Sequence, residues 1–371
     1  MPPYDLDHRL VVGVSSSALF DLSTSQRVFD EQGIDAYRAY QDRYRDRTLR
    51  RGVAFEFVQR LLSLNDLSPD AQDPLVEVFV LSKNDPSTGL RVMSSVAAYG
   101  LPISRAIFTQ GLAPYAYIPA LNVSLFLSGD ARDVRTATTL GHPAGQVLGS
   151  AAVGHLAAPG PTAEHPPGAP VLPGGSPGED TDGAADDGTL RVAFDFDGVL
   201  ADDSAERVYQ SSGIEQFHQY ESARKVTEHH AGPILPFLRA LGTIQRREEE
   251  RAAEDPTYRP RVRVSIVTAR SAPSHERAVN TLRSWGVTVN DAFFLGGADK
   301  GRVLRVLRPH IFFDDQRGHL DPVSREVASV LVPYGVTNET PVTDETPGPA
   351  PEPGAAGPGP AEPAPVPAPV G

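Results

Sequence analysis

Residues 191–203 read RVAFDFDGVLADD, with four acids among thirteen residues, and Asp195 and Asp197 stand two apart at the end of an apolar run. Residues so spaced in an extended segment point to the same side, so both carboxylates can address one site while Gly198 lets the chain turn away. Further polar residues fall at comparable places: Thr268 ends VRVSIVT, Lys300 opens KGRVLRVLR, and Asp314 and Asp315 follow HIFF. Carboxylates converging without cations repel strongly, so the set implies a hard divalent cation with oxygen ligands, most simply Mg²⁺. A carboxylate beside such an ion can attack a phosphoryl group, and a neighbouring acid can protonate the leaving oxygen and then activate water. Thr268, with Ala269 beside it, can bind a phosphate oxygen, helped by the N–H groups of a following helix for which Ser274 is the expected cap. Lys300 near a helix start is disfavoured by the macrodipole, which calls for an anionic partner.

These residues must be positioned by strands and helices that alternate. Strands are expected at 192–194, 262–268, 291–295 and 310–313, with helical patterns at ILPFLRALGTIQRR, HERAVNTLRSWG and KGRVLRVLR between them. The alternation predicts an α/β fold with a doubly wound parallel sheet, whose ligands lie beyond the carboxyl ends of the strands, where these polar residues fall. The first part of the chain repeats the plan: VEVFVLSKND, TGLRVMSSVAAYG, RAIFTQG and VSLFLSGD match second-half segments at one offset of 186. Upstream, LVVGVSSSALFD lies over RVAFDFDGVLAD at an offset near 181. A tandem duplication is the expected origin. The first copy has Val14, Ser16, Ser82, Pro114, Ser128 and Gly129 where the second has Asp195, Asp197, Thr268, Lys300, Asp314 and Asp315. It lacks every charged candidate, and is expected to be catalytically dead, serving as packing partner, surface of a homo-oligomer or part of the substrate pocket.

Composition sets the boundaries. Residues 141–188 and 339–371 are rich in Gly, Pro and Ala and carry eleven acids with no Lys or Arg, so most of the net charge of −13 lies in them. Such segments bury too little apolar surface to order themselves, and are read as a disordered linker and tail. The expected domains are therefore 1–140, a degenerate half, and 189–338, the catalytic half. There is no cysteine, no cationic and apolar leader at the amino terminus, and no apolar run long enough to span a membrane, which points to a soluble cytoplasmic protein. No basic stripe with interleaved aromatics supports nucleic-acid binding.

The order DxDGV, Thr after a strand, Lys, then Asp-Asp after a strand resembles the haloacid dehalogenase superfamily of phosphohydrolases over about 189–338. Longer stretches, among them AFDFDGVLADDSAERVY, GPILPFLRALG, VTARSAPSHERAVNTLRSWGV and FLGGADKGRVLRVLRPHIFFDDQ, with VSSSALFD and TGLRVMSSVAAYGLPISRAIFTQG in the first half, resemble the cytosolic 5′-nucleotidase type I family. The resemblance implies Mg²⁺-dependent hydrolysis of nucleoside 5′-monophosphates, AMP-like purine or deoxypyrimidine nucleotides, through an aspartyl phosphate. Carried over by motif, it implies Asp195 as nucleophile, Asp197 as acid/base, and Thr268, Ala269 and Lys300 as phosphate ligands. Asp314 and Asp315 complete a metal set with Asp195 and Asp197. Phe196, where some relatives carry Gly, is expected to point away from the metal. Residues 203–232 interrupt the core of the second half where this superfamily inserts a cap, so a small helical cap is expected there, with Tyr220 and Lys225, and Arg270 nearby, as substrate contacts. His229 and His230 read as surface or helix-end histidines, REEER at 247–251 as a solvated helix face, and Trp285 as core. A sugar phosphatase of the same superfamily and a non-catalytic nucleotide sensor are the competing functions. A response-regulator receiver orders its acids differently and has no DxD.

Overall fold

A computed structural model describes residues 5–70, 72–149 and 187–338. Its strands are β1 (Leu10–Val14), β2 (Phe20–Asp21), β3 (Arg50–Arg51), β4 (Val76–Ser82), β5 (Arg105–Phe108), β6 (Leu125–Ser128), β7 (Ala144–Leu148), β8 (Leu190–Phe194), β9 (Val262–Thr268), β10 (Asp291–Phe294), β11 (Ile311–Asp314) and β12 (Ser329–Leu331). Its α-helices are α1 (Ser16–Leu19), α2 (Ser23–Arg43), α3 (Phe55–Ser63), α4 (Pro86–Ala98), α5 (Ala131–Thr139), α6 (Ser204–Ala223), α7 (Leu235–Glu254), α8 (His275–Ser284), α9 (Lys300–Leu307) and α10 (Arg317–Leu320). β2 and β3 form a small antiparallel ribbon, and the other strands form one sheet in the order β10–β9–β8–β11–β12–β7–β6–β1–β4–β5. Neighbours in it are parallel except β12 and β7, which run antiparallel. The parallel strands read as near-continuous apolar runs because helices cover both faces: LVVGV and VEVFVLS are buried along their whole length.

The two halves thus share a single sheet. They meet at β7, which lies inside the segment expected to be linker from residue 141. Ala144, Val147 and Leu148 of this strand are buried between β6 and β12. Five residues with a Gly among them disappear in a compositional window dominated by Gly and Pro, although pairing on both edges satisfies their backbone. The remaining expectations for linker and tail, 150–186 and 339–371, lie outside the described residues.

Strand pairing fixes the register of one half over the other. β1 pairs with β4 as Leu10↔Val76, and β8 pairs with β9 as Leu190↔Val262. The offset at the first strand is therefore 180, not 181, and Ser15 and Ser17, not Val14 and Ser16, occupy the places of Asp195 and Asp197. A slip of one residue exchanges the two faces of a strand, which pattern matching across a Ser-Ser-Ser run does not detect. The same offset carries α2 onto α6. Each breaks at a glycine with positive φ, Gly33 at 84° and Gly213 at 80°. The helical arm expected as a cap in the second half therefore has a counterpart in the first.

One face of the sheet carries a core common to both halves, containing Val12, Phe57, Phe194, Phe237 and Phe313. Phe57 of α3 and Phe237 of α7, also 180 apart in sequence, meet edge to face with ring centroids 6.0 Å apart. The other face has a separate core for each half, around Phe79 and Phe126 in the first and Phe312 and Leu304 in the second.

Candidate active site

Asp195 directly follows β8, Thr268 ends β9 and Asp314 ends β11. These three strands are adjacent and parallel, with β8 in the middle, so the residues come to one edge of the sheet. Lys300, first residue of α9, brings its Nζ to 3.0 Å from Asp195 Oδ2 and 2.7 Å from Asp314 Oδ2. These are the anionic partners that its place at a helix start requires. Asp195, Thr268, Lys300, Asp314 and Asp315 are all buried, and Ala269 is exposed.

Asp315 lies beneath the turn of the first motif. Gly198 has φ of 71°, and a Cβ there would stand 2.7 Å from Asp315 Oδ2, so the position is closed to other residues both by conformation and by contact. Oδ2 of Asp315 accepts a hydrogen bond from the Thr337 hydroxyl at 2.6 Å, while its Oδ1 is buried with no partner among the described residues. His319 of α10 places Nδ1 3.2 Å from each oxygen of Asp314.

The charges compete for too little solvent. Burial pushes the Asp195 carboxyl up to about 6 against the pull of Lys300, with Asp314 and Asp197 adding to the rise. Burial also pushes Asp315 up to about 8, and the charge of Asp195 adds to it. For Asp314 burial acts in the same sense, but Lys300 and His319 outweigh it and hold the carboxyl below its ordinary range. Burial disfavours the Lys300 ammonium, and Asp195 and Asp314 more than offset that.

Asp197 is held differently. Arg270 donates from Nε to Asp197 Oδ2 at 2.7 Å and from Nη2 to Oδ1 at 2.6 Å, a two-bond fork. The Nη1 of Arg270 bonds Glu221 Oε2 on α6, and Glu221 Oε1 accepts from Arg277 at 2.8 Å. His229 Nε2 is 3.3 Å from Glu221 Oε2, and Arg270 lies over the rings of Phe196 and Phe217. Arg270 is thus buried with its guanidinium engaged, not presented as a substrate contact. Tyr220 stacks under Arg224, and Lys225 is an exposed residue 3.7 Å from Glu276.

Asp195, Asp314 and His319 offer ligand atoms within 4.8 Å of one another. Two carboxylates, with the unpartnered Oδ1 of Asp315 beside them, form a donor set that fits a hard divalent cation. Asp197, with both oxygens on Arg270, stands apart from that group.

A sequence profile of the family described as 5′-nucleotidase matches residues 2–158 and 164–339. The chain belongs to the 5′-nucleotidase family. The human protein cytosolic 5′-nucleotidase 1B is 32% identical over 325 residues, which is 85% of this chain and 47% of that protein. The chain therefore spans about half the length of that curated relative, and the type I resemblance seen in the sequence is supported by it. No solved structure matches. No helix among the described residues is long and apolar enough to cross a membrane.

Several expectations for this family member change in the structure. His229 is buried against Glu221, whereas His230 is exposed. Within REEER, Glu248 is buried and accepts from the Tyr258 hydroxyl at 2.8 Å and from the N–H groups of Arg261 and Val262 at 2.7 and 3.0 Å. Ser274 precedes α8 but makes no capping bond; its hydroxyl donates to Ser271 O at 2.8 Å. Trp285, by contrast, packs against the core as expected and stacks with the buried ring of Phe196. Nothing in the sequence marked His319, Thr337 or Glu221. Each acquires its role from partners distant in the chain or from a turn not foreseen.

Proposed function

We propose that the chain hydrolyses nucleoside 5′-monophosphates, AMP-like nucleotides among them, with Mg²⁺ and through a phosphoryl group carried on Asp195. The observation that supports it most is the buried carboxylate of Asp195 at the end of the central strand, touching Lys300, in a chain of the 5′-nucleotidase family. Asp195 attacks phosphorus, its oxygen forms the new P–O bond, and the bond from phosphorus to O5′ breaks. Asp197 gives its proton to O5′, so the nucleoside leaves neutral. Water then attacks the acyl phosphate and gives a proton to Asp197, phosphate departs, and both carboxyls return to their starting state. Thr268, the backbone at Ala269 and Lys300 bind the non-reacting phosphate oxygens. Asp195 and Asp314, with Asp315 beside them, would hold Mg²⁺, which when bound would offset the negative charge of the carboxylates and the phosphate.

We read the first half as a degenerate copy of the same superfamily fold. Support comes from the strand order, β5–β4–β1–β6–β7 in one half and β10–β9–β8–β11–β12 in the other. We read α6, with its kink, as the cap. The test is phosphate release from a panel of nucleoside 5′- and 3′-monophosphates and sugar phosphates, with Mg²⁺ and with EDTA. Metal-dependent release confined to the 5′-nucleotides is expected. Release from sugar phosphates alone overturns the substrate, and nucleotide binding without release makes the chain a sensor.

A further inference from the structure

The buried pairs around α6 repeat in both halves, with one difference that separates packing from chemistry. In the second half Arg277 Nε donates to Thr227 O at 2.8 Å, Arg277 Nη1 to Glu221 at 2.8 Å, and His229 N to Thr281 Oγ1 at 3.1 Å. In the first half Arg91 Nε donates to Arg47 O at 3.0 Å, Arg91 Nη1 to Gln41 Oε1 at 3.3 Å, and Leu49 N to Ser95 Oγ at 2.9 Å. Every member is the counterpart of the other at offsets of 180 or 186. This set ties the helical arm to the following helix in both halves, whether or not the half carries acids.

Arg270 belongs to a second set that only one half keeps. At the corresponding places the first half has Asn84 for Arg270, Ser17 for Asp197 and Gln41 for Glu221. The fork, the carboxylate it holds and the charge behind it are lost together, while the neighbouring bonds of Arg91 persist. A group needed only for packing should have survived with them. Of the residues of α6, only Ala205, Phe217 and Glu221 are buried, and two of these three, Phe217 and Glu221, grip Arg270.

We propose that Glu221 and Arg270 are positioning residues for the general acid: Glu221 on α6 holds Arg270, and the fork of Arg270 holds the carboxylate of Asp197. This rests on the reading of Asp197 as the acid that protonates O5′. A carboxylate offers about four acceptor sites, of which the fork occupies two, so the proton to be transferred still has a place. The helix read as the cap and the acid that serves the leaving group are thereby joined by one guanidinium. Neither Glu221 nor Arg270 touches the substrate in this role.

The test compares AMP with adenosine 5′-S-phosphorothiolate, in which sulfur replaces the bridging O5′ and departs as a thiolate that needs no proton. The quantity read is the ratio of kcat/KM for AMP to that for the analogue, together with Tm. Asp197→Asn is expected to lower the AMP value by ~10²–10⁴-fold and the analogue far less, which collapses the ratio. Glu221→Gln removes a buried charge from between Arg270 and Arg277, so it is expected to lower Tm, and to lower the ratio by a part of the Asp197→Asn effect, ~10-fold. In the Asp197→Asn background it should lower the ratio no further. If Glu221→Gln leaves the ratio at the parent value while Asp197→Asn collapses it, the positioning role is wrong and the acid assignment stands. Equal losses on both substrates, whatever the change in Tm, make Glu221 a structural residue and overturn the proposal. An unchanged ratio in Asp197→Asn, or a parent without turnover, removes the acid reading and this proposal with it. Should Glu221→Gln not fold, Arg270→Lys, which keeps the charge and loses the fork, carries the same test with the same expected fall in ratio.

Discussion

Replacing Asp195 by Asn should destroy turnover and stabilise the metal-free protein. The neutral amide has the same shape and cannot act as the nucleophile. The stability term follows from the carboxyl of Asp195, which burial raises from 3.8 to about 6 although Lys300 is only 3.0 Å away. Below pH 3.8 the group is protonated in both folded and unfolded chains and has no effect. Between that value and about 6 the unfolded chain gives up its proton and the folded chain does not. Above about 6 the folded state carries the whole penalty, which at 1.36 kcal/mol per unit is about 3 kcal/mol as an upper figure. Asn removes the penalty, so urea denaturation in EDTA at pH 7.5 should show a gain of ~1–3 kcal/mol that shrinks steadily toward pH 4. Phosphate release measured on the same preparation should fall to background. An Asn variant no more stable than the parent at pH 7.5, or a gain that grows with acid, would refute the electrostatic account, and retained turnover would refute the nucleophile.

Lys300→Met should act in the opposite sense, because it leaves Asp195 and Asp314 buried without their shared cation. A loss of ~3–5 kcal/mol in metal-free denaturation is expected, and a loss below ~1 kcal/mol would mean that the ammonium is not what holds the pair. Glu248→Gln turns an amide toward three donors that now meet a carboxylate, at 2.7 to 3.0 Å. It should cost ~1–3 kcal/mol with kcat/KM for AMP unchanged, and a kinetic defect at full stability would show that this buried acid is tied to the site.

The parts of the site legible in the sequence are those whose place depends on one strand. Asp195, Thr268 and Asp314 each end an apolar run, and a parallel strand with both faces covered has no other way to write itself. Lys300 was legible because a cation at a helix start contradicts the macrodipole and so demands an explanation. The illegible parts depend on partners far along the chain. Glu221 looks like any acid on a polar helix, and only folding sets it between Arg270, Arg277 and His229. Glu248 sits in a run of charges that reads as solvated, yet its turn of α7 faces the start of β9. β7 escaped because its five residues carry too little period to stand out from Gly- and Pro-rich surroundings, and β12 because three residues carry no period at all.

The first half shows what the fold requires when the acids and the lysine are absent. Ser15, Ser17, Ser82 and Ser128 replace Asp195, Asp197, Thr268 and Asp314, and Pro114 replaces Lys300. Ser15 and Ser17 hydroxyls lie 3.0 Å apart, and those of Ser16 and Ser82 lie 2.7 Å apart. A hydroxyl both donates and accepts, so these groups satisfy one another without a cation, whereas carboxylates only accept and need Lys300 or a metal between them. The strand order and the kinked helical arm are nevertheless kept in both halves, down to the hydrogen bonds of Arg91 and Arg277. The acids and the lysine are therefore not needed to form this sheet edge. Their burial in the second half, with two carboxyls displaced upward, is a cost that folding alone gives no reason to bear and that the proposed phosphoryl transfer would explain.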